Sequence, residues 1–366
     1  MHTLLFALVL AAPPNPAERP FRANQGYASN KDQIYAVVEL SRNANAPDPG
    51  AAARGPMLIG LCPHDDHALA GPVYFPVMEK VKAKHLILFG VAHKAWKWNV
   101  KDALIFDDFK EWKGPLWAFR VDTDLREKLK KALKADSFIV NNAYHAEEHS
   151  LEAFIPFLQF YDSQAKILPI LVPYMSWERL DTLALRLSEA VAAIAKDEGW
   201  TWGSDFQVLI SNDSTHYGDQ GWDGKNYAPY GAGVQGLILA KDQDRGLIGS
   251  HLTGAIAPER LKGFLYTLAD EKDLQHYKIT WCGRFAVPFG LDFSHHLAGR
   301  LGMKVPEGRL FSYGTSVELG QLDVKDLNPT APSNLHHWVA YTAMGWFAPG
   351  GKGAKGGDDG SEPLGP

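Results

Sequence analysis

The sequence predicts an α/β protein, built as one large domain with a mainly parallel central sheet flanked by helices. Continuous apolar runs at 57–61, 86–90, 166–172 and 206–210 have strand length and lack polar alternation, as strands buried on both faces do. Segments of helical period separate them, the pattern of βαβ units. No linker, composition break or internal repeat divides the region between about Arg54 and Trp346.

Each element follows from local chemistry. The run 57–61 reads as a buried strand. Val73, Val77 and Val81 recur every fourth residue on a helix, and 86–90 completes one βαβ unit. The aromatic-rich stretch 103–121 carries a Lys113-Gly114-Pro115 turn and is expected to form a hairpin insertion, followed by an amphipathic helix over 124–133. Leu151, Phe154, Ile155, Leu158 and Tyr161 mark another helix before the strand at 166–172. Ser176 can cap a long helix to about Lys196, after which 206–210 reads as a strand. A short strand-like piece at 279–284 turns at Gly283 into the segment 285–303.

Composition excludes several classes. The chain has 366 residues, with 37 Lys and Arg against 42 Asp and Glu, so a formal net charge of −5. That slightly acidic balance leaves no electrostatic footprint for nucleic acid. No stretch approaches the roughly 20 apolar residues of a membrane helix, so the chain is not expected to be an integral membrane protein. Two cysteines, Cys62 and Cys282, cannot staple a disulfide scaffold.

The ends read differently from the body. Residues 1–20 begin with a short apolar run ahead of Pro13-Pro14-Asn15-Pro16, which resembles a secretory signal peptide lacking Lys and Arg in its first residues. Export to a periplasmic or extracellular location is the expectation, with a cytoplasmic protein bearing a disordered N-terminus as the alternative. Residues 21–348 form the expected domain, and 349–366 a Gly-rich floppy tail. The glycines and Lys352 there lack the spacing, preceding strand and following helix of a phosphate loop.

The informative polar residues fall at strand ends. His64 lies just past 57–61, His93 past 86–90, and Asp213 with His216 past 206–210. Parallel α/β sheets build their sites outside the carboxyl ends of strands, so these groups can converge on a metal or catalytic site. Cys282 sits before a helix, where the dipole favours a thiolate and hence metal binding or reactivity. A buried apolar role and a Cys62–Cys282 disulfide are the alternatives for Cys282. His145, Glu148 and His149 also match the His-x-x-Glu-His pattern of inverted zinc peptidases. Asn141-Asn142 suggests a loop there, with a helix starting near Glu147, which would leave His145 outside it.

Read together, several segments resemble the Memo family, known in bacteria as AmmeMemoRadiSam system protein B. They are Pro63-His64, Phe89-Gly90-Val91-Ala92-His93, Glu147-Glu148-His149-Ser150-Leu151-Glu152 with Pro156, Ser211-Asn212-Asp213-Ser214-Thr215-His216, Cys282-Gly283-Arg284 and Tyr313-Gly314-Thr315-Ser316, in the family's order. The resemblance implies a fold like that of class III extradiol dioxygenases. It also implies that His64, His93 and Cys282 are metal ligands, with Asp213 and His216 at or beside the metal and His149 lining the pocket. Two departures stand out: Pro63-His64-Asp65-Asp66-His67 where the family has Pro-His-Ala-Gly-Tyr, and Val91-Ala92-His93-Lys94 where it has Pro-Ser-His-His. Asp65, Asp66 and His67 read either as an acid-rich mouth or as a solvated loop and helix cap.

Imidazoles with a thiolate or carboxylate suit Fe(II) or Cu, with Zn less favoured. The expected function is therefore a dioxygenase-like, metal-dependent redox enzyme for a small substrate, in which His216, His149 and Asp213 serve catalysis and His216 or His149 moves a proton. The alternatives are a non-catalytic metal-binding or peptide-interaction protein, and a zinc hydrolase using His145, Glu148 and His149.

Overall fold

Alternating side chains sort the strand runs onto two cores. Ile87, Phe89, Val91, Leu168, Ile170, Val172, Val208 and Ile210 pack on one side of the sheet. Leu86, Leu88, Ile167, Leu171 and Leu209 pack on the other, as the two-residue period of a strand requires. The computed structural model describes residues 17–22, 26–46, 55–162 and 164–349. Most of the expected leader (1–16) and of the expected tail (350–366) lies outside these.

The chain runs β1 (Glu18–Arg19), α1 (Lys31–Ala44), β2 (Met57–Cys62), α2 (His67–Met78), β3 (His85–Val91), α3 (Ala95–Trp98), β4 (Leu104–Phe106), β5 (Glu111–Lys113) and β6 (Ala118–Arg120). It continues through α4 (Thr123–Ala132), β7 (Phe138–Val140), α5 (Asn142–Glu147), α6 (Ile155–Tyr161), β8 (Lys166–Val172), α7 (Trp177–Glu198), β9 (Phe206–Ser211) and β10 (Asp213–Gly218). The remainder is α8 (Val234–Leu247), β11 (Gly254–Ala255), α9 (Pro258–Leu268), α10 (Ala286–Arg300), β12 (Glu307–Thr315), α11 (Ser316–Leu319) and β13 (His337–Phe347).

The large sheet has the order β11-β12-β13-β2-β9-β3-β8-β4-β7, and β10 also pairs with β13. The strands expected from the sequence form its centre, where β2, β9, β3 and β8 are mutually parallel. Around that centre the sheet is mixed. Strands β12 and β13 extend it antiparallel beyond β2, and β4 joins β8 antiparallel. Helices α7, α9 and α10 cover one face, and α1, α2 and α6 the other. The turn at Lys113-Gly114-Pro115 joins β5 to β6 as a hairpin. Ser176 caps α7, its side chain accepting the Arg179 N–H.

Boundaries shift in two places. Helix α2 ends at Met78, so Val81 lies beyond it yet stays buried. Glu18 and Arg19, placed by the sequence reading before the domain, pair with β5. Arg19 is fully buried, ion-paired with Glu152, and donates from Nε to the His145 carbonyl at 2.7 Å. No helix among the described residues is long and apolar enough to cross a membrane.

Candidate metal centre

Strands β2, β9 and β3 are neighbours in the sheet, and all three release the chain at the same edge. His64, Asp213 and His93 follow their carboxyl ends. His149 enters from the loop after α5, and His216 from β10. These five residues and Cys282 line one cavity of about 320 Å³, with Tyr27, Asp65, Asp66, Tyr227, Tyr277, Thr280 and Thr330 completing its wall.

Asp213 and His216 are three residues apart, which in a regular strand sends side chains to opposite faces. A register shift between them, where β10 pairs with β13, inserts one extra residue and brings both to the cavity. Cys282 is held by a short segment laid beside β10. Its N–H donates to the Asp213 carbonyl at 3.0 Å, and the His216 N–H donates to the Thr280 carbonyl at 3.2 Å. At Gly283 the backbone passes so close to Asn212 that an added Cβ would lie 2.3 Å from its Oδ1. Only glycine permits that approach, and the Gly283 N–H donates to the same oxygen.

Hydrogen bonds fix which nitrogen each imidazole presents. The Ser211 hydroxyl donates to the Ser150 carbonyl at 2.7 Å, so its oxygen accepts from His64 Nδ1–H at 2.7 Å. His64 Nε2 is then the nitrogen that faces the cavity; it is buried, makes no hydrogen bond, and lies 3.2 Å from Asp213 Oδ2. Glu148 Oε1 takes His93 Nδ1–H at 2.8 Å and turns His93 Nε2 toward the cavity, where Cys282 is its hydrogen-bond partner. Partners of this kind orient metal-binding histidines. His216 Nδ1 faces the carbonyls of Ser214 and Thr280, each at 3.2 Å, and its Nε2 lies 3.6 Å from Cys282 Sγ.

The charges are coupled. Burial would raise the Cys282 thiol, but His216 and His93 outweigh it and hold it well below its usual value. Burial likewise opposes a proton on His216, yet Cys282 and Asp213 raise it to about 10. His93 is also raised, Glu148 and Cys282 overcoming its burial. His149 goes the other way, to about 3, through burial and its neighbour His93. Burial lifts Asp213 to about 6 against the pull of His64. Without metal the centre is a thiolate held by imidazolium groups, so a cation that takes these donors must release protons.

Two donor sets share His64. One is His64, His93 and His149, the other His64, Asp213 and Cys282, and within each set the ligand atoms lie within 4.8 Å of one another. Atoms bound at about 2.0–2.3 Å to one ion stand at most about 4.6 Å apart, so the residues fit a transition metal after small adjustment. A third set, Asp181, Asp292 and His296, joins α7 to α10 and does not line the cavity.

Comparison with known proteins identifies the family. The family described as "Memo-like protein" matches residues 19–324. The chain belongs to that family. It is 24% identical to a MEMO1 family protein of Pyrococcus abyssi over 311 residues, covering 82% of this chain and 94% of the relative. A MEMO1 family protein of Pyrobaculum arsenaticum is 26% identical over 212 residues, 54% of this chain and 68% of that one. One from Methanosarcina barkeri is 29% identical over 163 residues, 44% and 55% respectively.

Several expectations need correction. His145 lies inside α5, because Asn141 caps the helix by accepting the Tyr144 N–H. Its Nε2 is 3.0 Å from the Ile105 carbonyl and it does not line the cavity. Glu148 and His149 lie past the helix end, so the zinc-peptidase face is not formed. The Cys62–Cys282 disulfide is absent: both thiols are free, Cys62 within the core and Cys282 in the cavity. Asp66 and His67 are not solvated. Asp66 is buried, accepts from Thr330 N–H at 2.6 Å, and is raised to about 7 by burial and Asp65. His67 Nδ1 accepts the Ala28 N–H and its Nε2–H reaches the Ala153 carbonyl, a neutral core bridge lowered to about 3 by burial. Asp65 does sit at the mouth, accepting from the Tyr341 hydroxyl at 2.7 Å. Sequence reasoning gave no role to Ser211 or to Glu148 as orienting groups; the hydroxyl ending β9 beside Asp213 was the available signal.

Proposed function

We propose that this cavity is a transition-metal centre, favouring Fe(II) or Cu over Zn, and that the protein is a metal-dependent oxidoreductase acting on a small molecule. The observation that carries the reading is the buried lone pair of His64 Nε2. It has no hydrogen-bond partner, its tautomer is set by Ser211, and it faces two sets of donors. An unpartnered buried polar atom of this kind is costly unless a ligand takes it.

His64, His93 and Cys282 would hold the metal, with Asp213 and His216 at its side. Imidazole and thiolate donors match Fe(II) and Cu better than all-oxygen cations. When bound, such an ion would supply one-electron redox chemistry. The chain's own contribution is orientation and protons. Ser211 and Glu148 fix the two rings. His149, kept neutral by burial and His93, can accept a proton, and Asp213 with a carboxyl raised to about 6 can exchange one near neutrality. Tyr27, buried beside the site with its hydroxyl donating to the His64 carbonyl at 2.6 Å, excludes water from one wall.

A non-catalytic metal-binding or peptide-interaction reading has one observation in its favour: the cavity offers enough donors to close a coordination sphere. Elemental analysis of untagged protein purified anaerobically, beside His93→Ala, tests the first reading. Near-stoichiometric iron or copper that is lost in a folded His93→Ala protein is the expected result. Metal retained in that variant refutes the assignment. Oxygen uptake with candidate substrates then separates enzyme from binder.

A further inference from the structure

A second cavity of about 580 Å³ abuts the metal centre and shares His93, Tyr227, Tyr277 and Cys282 with it. Arg284, two residues after Cys282, lines this second space and is only 9% exposed. Its Nε is buried without a hydrogen-bond partner. Among the described residues no carboxylate lies within the 4.0 Å of an ion pair with it. Its guanidinium lies over the Tyr277 ring, 3.5 Å to the centroid, with the Phe285 ring at 5.0 Å.

A buried cation without a counter-ion is unfavourable. Tyr277 does not neutralise it, because burial keeps that phenol protonated although Arg284 pulls the other way. Asp223 borders the same cavity but has Lys225 two residues away on its own exposed loop. The remaining walls combine apolar and aromatic side chains, among them Val91, Ala92, Tyr174 and Ala286, with the polar groups of Lys225 and Gln275 and the exposed ring of Trp96 alongside.

We infer that Arg284 is the anion-recognition residue of the substrate site, and that the substrate class is a small aromatic carboxylate. Its carboxylate meets the Arg284 guanidinium while its other end points toward His93 and Cys282. A planar guanidinium whose face is covered by aromatic rings is pre-set to offer its edge to a carboxylate. The shared residues place the reacting end of such a molecule at the metal centre, and for that step alone the inference rests on the proposed function.

The test uses benzoate and its neutral counterpart benzyl alcohol, titrated calorimetrically into the full chain before and after chelator treatment. Wild type is expected to bind benzoate at least tenfold more tightly than benzyl alcohol. Arg284→Gln is expected to abolish that preference while leaving benzyl alcohol affinity unchanged, and Arg284→Lys to retain part of it. Equal affinity of wild type for the two probes overturns the inference whether or not the variants fold. So does an Arg284→Gln protein that keeps the preference, or a Lys225→Gln protein that alone loses it. An Arg284-dependent preference in protein that never holds metal upholds the anion subsite and removes the metal reading; stoichiometric metal without any preference does the reverse.

Discussion

Glu148→Gln should separate the orienting shell from the ligands themselves. Four N–H donors converge on this buried carboxylate. Oε1 accepts from His93 Nδ1 at 2.8 Å, His149 N at 2.8 Å and Ser150 N at 3.2 Å, and Oε2 accepts from His93 N at 2.7 Å. Glutamine can keep one oxygen over the first three, but its amide then points N–H at the His93 N–H. One buried donor is left unpaired, at roughly 1–3 kcal/mol, and the remaining bonds lose their charge-assisted part, about 1 kcal/mol each. Relief from burying a charge offsets some of this, so the expected net loss is about 2–3 kcal/mol. The sign with pH follows from the same contacts. Burial pushes Glu148 up, but His93, His149 and their hydrogen bonds outweigh it and hold its pKa below the ordinary value. A depressed folded-state pKa contributes stability that is present above the unfolded value, about 4.3, and lost as pH falls below it. Urea unfolding of metal-free protein should therefore show the 2–3 kcal/mol difference at pH 7 and a narrowing gap toward pH 3. Metal affinity, read by competition with a chromophoric chelator, should fall about 10- to 100-fold. A variant within 0.5 kcal/mol of wild type, on the order of the scatter of surface substitutions, that also keeps its metal affinity would refute the argument.

Two further substitutions probe neighbouring supports. Ser211→Ala removes the acceptor that holds the proton on His64 Nδ1 and frees the ring to take the other tautomer. Metal affinity should drop about tenfold or more while stability falls by only about 1 kcal/mol; unchanged affinity in the chelator competition contradicts the tautomer argument. Arg19→Ala leaves the buried Glu152 carboxylate without its ion pair and strips the His145 and Glu148 carbonyls of their donors, at 2.7 and 2.6 Å. Urea unfolding should show a loss of about 3–5 kcal/mol, and a loss under about 1 kcal/mol, the scale of an exposed pair, would mean that β1 is dispensable to the fold.

What the sequence made legible was local. Strands β2, β3, β8 and β9 are continuous apolar runs, and a run that stops at a histidine or aspartate announces both the strand and what its end presents. Cys282 and His149 stand out singly, by position and by motif, and only the resemblance joins them to those strand-end residues, which no periodicity could do. What escaped depends on partners far away in the chain. Asp66 and His67 look solvated until Thr330, Ala28 and Ala153 close over them. Asn141-Asn142 looked like a loop because asparagine favours turns, whereas Asn141 here caps a helix. Strand β13 is buried along its whole length, yet its glycine and mixed aromatic and small residues gave no clean two-residue alternation. The bulge in β10 is invisible for a different reason: it is a relation between two strands, not a property of either.

That bulge, the Gly283 approach and the orienting bonds share a consequence for how the centre works. Each donor's position is fixed by a different part of the chain. His64 is held through Ser211 of β9, His93 through Glu148 after α5, and Cys282 through the Asp213 carbonyl of β10. The backbone that carries them belongs to the packed sheet, so its geometry is set by burial of the two cores and not by an ion. Binding then requires little ordering of the chain, and the entropy cost that a metal meets in a small metal-folded domain is largely absent. What a metal must displace instead is charge: the protons shared among His93, His216 and the Cys282 thiolate. Under the proposed function, metal uptake at this centre is therefore governed by proton release and by access through the cavity, while the backbone that carries the donors is set by the packing of the two cores.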